Sequence, residues 1–125
     1  MLWNPDGTEQ ISDVPHQEYW QTLVRRLSQA ERDAIEDALN AEIDADMRLG
    51  KEIQASSWMP GNDWTGGPYE PIWSNAARHN EELAGMMFGL VVWHTFMHRN
   101  EDWSFHRYEN LARGLVYFVI HPPRG

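Results

Sequence analysis

Leu83-Ala84-Gly85-Met86-Met87-Phe88-Gly89-Leu90-Val91-Val92-Trp93 decides the fold. The run is apolar on nearly every side of a helix, so it belongs at the centre of a packed domain and not on its surface. At 11 residues it is far shorter than the roughly 20 needed to span a bilayer. Gly85 and Gly89, one turn apart, strip bulk from one face and let another element approach the backbone. The helix carrying this run is expected to begin at Pro71 or near Asn75 and to reach about His98.

Two amphipathic helices precede it. The first is expected to start near Asp13, with Pro15 in its first turn, and sets Trp20, Leu23, Val24 and Leu27 in one stripe. Ser28-Gln29-Ala30-Glu31 has the form of a capping box and opens the second. There Ile35, Leu39 and Ile43 recur at four-residue steps, and Gly50 is placed to stop the helix after Leu49. Its remaining faces carry Glu31, Asp33, Glu36, Asp37, Glu42, Asp44 and Asp46 against only Arg32 and Arg48.

Between the second and third helices, Trp58-Met59-Pro60-Gly61-Asn62-Asp63-Trp64-Thr65-Gly66-Gly67-Pro68-Tyr69 is dense in turn residues and aromatics. It reads as a compact loop folded onto its own rings. Leu115 to Ile120, bounded by Gly114 and Pro122-Pro123, is strand-like, with a buried helix continuing from Glu109 as the alternative. Its expected partner is Glu52 to Ser57. Asn100 to Tyr108 reads as a turn or one or two helical turns, and residues 1–11 as an irregular arm turning at Asn4-Pro5-Asp6-Gly7. The expected architecture is mainly α: a helical hairpin packed on a central buried helix, with a small two-stranded β element, in a single domain over residues 1–125.

Composition narrows function. The 125 residues are 42% apolar with seven Trp, enough to build a core. Cysteine is absent, which excludes disulfides, thiolate zinc sites and cysteine nucleophiles. Nineteen acidic against ten basic residues give a net charge of −9, which disfavours direct nucleic-acid binding and anionic membranes and favours a protein partner with a basic surface. The opening MLWNPDGTEQ lacks the pattern of a secretory signal, so a cytoplasmic location is expected.

Three constellations are candidates for function. His94 and His98 stand at i, i+4, the spacing that sets two imidazoles on one helical face for a divalent metal; Thr95 replaces the Glu of a zinc-protease motif, and Asp102 or His106 is a candidate third ligand. Glu36, Asp37 and Asp44 on the acidic helix, with Trp58, Trp64 and Tyr69 from the aromatic loop, form a candidate partner-binding surface, although the rings are expected chiefly to plug the core between the helices and to leave one or two as a contact patch. The Gly85 to Gly89 face or an exposed strand edge is a candidate homodimer contact. Phosphate loops and nucleophile elbows are missing from the sequence, and no cofactor beyond a divalent metal is called for.

Ser56 to Trp73, SSWMPGNDWTGGPYEPIW, together with GLVVWHTFMHRNEDWSFHRYE, resembles a pattern found in small bacterial and phage proteins. The resemblance covers about half the chain and assigns no residue a role. It implies a bacterial or mobile-element origin, in which inhibitors of host defence, of the anti-CRISPR or anti-restriction type, recur. A non-enzymatic binding module of that sort is the leading expectation. A metal-dependent enzyme using His94 and His98, or a self-associating subunit, is the rival.

Overall fold

In the computed structural model, residues 1–50, 52–60, 63–106 and 115–121 are described. Their order is α1 (Gln17–Arg26), α2 (Gln29–Arg48), β1 (Ile53–Gln54), a 3₁₀ turn (Ala55–Trp58), a π-helical turn (Ile72–Ala76), α3 (Glu81–Met97), β2 (Trp103–His106) and β3 (Val116–Val119). The fold is mainly α with a minor antiparallel sheet, and α1, α2 and the π-helical turn all pack on α3. Among the described residues no helix is long and apolar enough to cross a membrane.

The centre is α3, as its composition requires: Ala84, Met87, Phe88, Leu90, Val91, Val92, Thr95 and Phe96 are buried. Against it α1 sets Leu23 and Leu27, and α2 sets Ile35, Leu39 and Ile43, all essentially solvent-free. Each such side chain contributes about 1.5–3 kcal/mol by leaving water. The corner between α1 and α2 is fixed by the capping box, in which Ser28 Oγ accepts from the Glu31 amide at 3.1 Å and Glu31 Oε1 accepts from the Ser28 amide at 2.9 Å.

Two helix starts differ from the sequence reading. α1 begins at Gln17, four residues beyond Asp13, because His16 takes a left-handed backbone (φ 54°) that precedes the first helical turn. α3 begins at Glu81. The segment from Pro71 forms only the π-helical turn, after which Arg78 (φ 50°) and His79 (φ 67°) reverse the chain. Asn80 then caps α3 by accepting from the Leu83 amide at 3.0 Å. A side chain that satisfies the first free amides of a new helix competes with continuation of the old one.

Among the described residues the sheet has three strands, not two, in the order β1-β3-β2. The expected pairing of the segment after Glu52 with the segment after Leu115 is present, as Ile53 opposite Tyr117 and Gln54 opposite Val116. The segment after Asn100 supplies the third strand and not a helical turn: Trp103 opposes Val119 and His106 opposes Val116. Glu109, Gly114 and the Pro122-Pro123 pair lie outside the described residues. Tyr117 explains why the strand reading of β3 prevails, since its ring stacks on Phe96 of α3 at 4.0 Å and 14°.

The N-terminal arm is docked. Leu2 is fully buried and bridges Trp103, Trp3 donates its amide to Trp103 O at 2.7 Å, and Trp3 Nε1 donates to Asp102 Oδ1 at 3.0 Å. The arm therefore covers part of the outer edge of β2. The turn at Asn4 is as read, with Asn4 Oδ1 accepting from the amides of Thr8 and Glu9.

Candidate functional site

Two faces of α3 carry chemistry, and they point to different sides of the molecule's core helix. The first holds the histidines. Their i, i+4 spacing puts His94 Nε2 and His98 Nε2 3.2 Å apart, with the rings nearly perpendicular. The other nitrogen of His94, Nδ1, lies 2.7 Å from Glu36 Oε1 of α2. An ionised carboxylate only accepts, so this bond puts a proton on Nδ1. Trp20 of α1 stacks on the same imidazole at 4.8 Å, so three helices orient one ring. Beside it, Trp20, Gln29, Arg32, Asp33 and Glu36 line a small cleft of about 120 Å³.

His98 is exposed at the end of α3. Its pKa is held below the ordinary value by partial burial of the ring, and then by the neighbouring His94. The expected third ligand is not in place. Asp102 accepts from Trp3, and among the described residues no group of three or more His, Asp or Glu side chains stands ready to hold a metal.

On the other face, α3 forms the floor of a groove of about 890 Å³. Gly89 supplies that floor: a Cβ built there meets nothing within 4 Å. Gly85 behaves differently, because Met59 Sδ already lies 3.5 Å from where its Cβ would be. Trp93, Phe105 and Met59 form apolar walls, while Glu81 and Glu82 stand at the end where α3 begins. Met86, among these residues, is 41% exposed, unusual for a large apolar side chain. A concave, largely apolar site of this volume with a few charged groups at its margin has the character of a ligand or segment site.

The residues expected to make a partner surface are dispersed. Trp64 (3% exposed) and Tyr69 (4%) are core pieces that meet Phe88 edge-on at 6.3 and 5.1 Å, and Trp64 also borders the groove on α3. Both loop rings thus pack on Phe88 of α3. Trp58 is half-buried against the core. Of the three acidic residues, Glu36 is committed to His94, and Asp44 accepts from Arg99 Nη2 at 2.6 Å; Asp37 is exposed on α2.

Arg99 is a clamp that sequence reading missed. Its guanidinium reaches Asn40 and Asp44 of α2 and also Glu101. Burial alone would raise the pKa of Glu101, but hydrogen bonds from Arg99 and Trp103 outweigh it and hold the carboxyl below its usual value. Comparison of the chain with protein-family models, with characterised proteins and with solved structures finds no match to any of them.

Proposed function

We propose that the protein is a binding module whose docking site is the groove on α3 and whose partner presents a basic, amphipathic segment. The observation that carries this reading is the apolar groove with an open glycine floor at Gly89 and two carboxylates, Glu81 and Glu82, at its end. An apolar helix face fits between Trp93, Met86 and Phe105, as in helix-in-groove recognition generally. The net charge of −9 steers a cationic segment toward the molecule, and Glu81 and Glu82 select it once there. Proteins that handle nucleic acid hold phosphate with such basic surfaces. Seating the segment here withholds it from phosphate, which is how such a module inhibits its partner.

The groove takes precedence over the acidic face of α2 because two of the carboxylates on that helix are already engaged within the chain. Fluorescence anisotropy of a labelled Leu/Lys amphipathic helical peptide tests the reading, with the Leu/Glu peptide of the same apolar pattern as control. The Lys peptide is expected to bind, at least tenfold more weakly to a Glu81→Lys, Glu82→Lys double variant and not at all when Gly89→Trp fills the groove. Equal binding of both peptides, or loss only when Asp33, Asp37 and Glu42 are reversed to Lys, overturns it.

A further inference from the structure

We infer that His94 and His98 form a bidentate site for a divalent ion of the copper, nickel and zinc group, with Glu36 as the residue that orients it. This site is separate from the groove and does not depend on it. A tetrahedral ion with metal–nitrogen bonds of 2.0–2.1 Å holds two nitrogen ligands about 3.3 Å apart. His94 Nε2 and His98 Nε2 are already 3.2 Å apart, so the ligand separation such an ion requires is present before it binds.

The tautomer is also prepared. Glu36 accepts from Nδ1–H of His94 at 2.7 Å, which leaves Nε2 unprotonated and accepting from His98 Nε2–H at 3.2 Å, so an ion takes the place of that shared proton. Metal-ligating histidines characteristically donate their other ring N–H to a carboxylate in this way, which fixes the ring and raises its basicity as a ligand. Packing against Trp20 at 4.8 Å holds the plane. Imidazole nitrogens suit copper, nickel and zinc over magnesium or calcium, which take oxygen ligands. His98 is exposed, so the ion reaches the pair from solvent and completes its coordination with water.

Zinc titration of the full chain labelled with ¹⁵N-histidine tests the site. One equivalent of Zn²⁺ is expected to move the Nε2 signals of His94 and His98 together, ahead of those of His16, His79, His106 and His121. Calorimetry should then show at least tenfold weaker zinc binding for His98→Asn. That residue is exposed, so its replacement leaves the core untouched. Glu36→Gln should weaken zinc by about 10- to 100-fold while keeping the one-to-one stoichiometry. Undiminished affinity in His98→Asn, zinc shifts confined to other histidines, or no saturable binding overturns the assignment.

Discussion

Tyr69 carries its hydroxyl into the core, where it makes no hydrogen bond among the described residues. Burial, and then the charge of Glu42, pushes its pKa up to about 12. A buried hydroxyl without a partner costs about 1–3 kcal/mol in lost hydration. Tyr69→Phe keeps the ring against Phe88 and removes that cost, so the variant is expected to be as stable as the parent or up to about 1 kcal/mol more stable by urea denaturation. Gly89→Ala should stabilise by about 0.5–1 kcal/mol, because the site is helical and its Cβ meets nothing. The same change at Gly85 should gain a similar amount, since a Cβ there meets Met59 Sδ at 3.5 Å, an ordinary van der Waals contact. At this scale the His94 and His98 pair was readable because a helix repeats every 3.6 residues. Glu36 was not, because its partner is 58 residues away and only the packing of α2 on α3 joins them. Trp64 and Tyr69 look alike as surface or core until Phe88 is seen between them.

Among the elements, the junction of α1 and α2 is the most local in origin. Ser28→Ala removes the side-chain half of the capping box and is expected to cost about 1 kcal/mol, measured by thermal or urea unfolding. Glu31 shows why the effect should be felt beyond one amide: the Ser28 backbone bond holds its pKa low, and its other oxygen accepts from Asn75 of the π-helical turn at 2.7 Å. The three α-helices were legible because each carries its own apolar pattern and stop signals. The break at Arg78 and His79 was not, since a left-handed backbone is uncommon for any residue but glycine and only the cap at Asn80 reveals where α3 restarts. β2 escaped notice for a related reason. Four residues, Trp103 to His106, are too few to display an alternating pattern, and they become a strand because β3 offers an unpaired edge.

For the molecule as a whole, two sets of titrating groups shape stability against pH. Glu31 and Glu101 have folded-state pKa values below their unfolded ones, so the stability they contribute is full above the usual carboxylate range and is lost as pH falls through the depressed values. His98 is a base with a depressed folded value. The unfolded chain takes up its proton first, so stability falls as pH drops below about 6.5 and levels off once the folded ring is also charged. The titratable groups facing His98 are His94, Glu36 and the Met1 amino group. Unfolding free energy measured from pH 8 to 3 should therefore show a first decline near neutrality that His98→Asn removes, and a second, carboxylate decline that it leaves in place.

The strand order has a bearing on the time course of folding. β3 lies between β1 and β2, yet it follows both in the chain, and the contact of Ile53 with Tyr117 closes a loop of more than sixty residues. Helices α1 and α2 and their capped corner form from neighbours in sequence, within microseconds to milliseconds, while the sheet waits for its middle member. Until β3 arrives, Phe96 lacks its stacking partner and neither outer strand has a ladder to join. Sheet closure is thus the slow, nearly all-or-none step on which the helical part depends for its final lock, and Tyr117 is the residue whose truncation should change the refolding rate most.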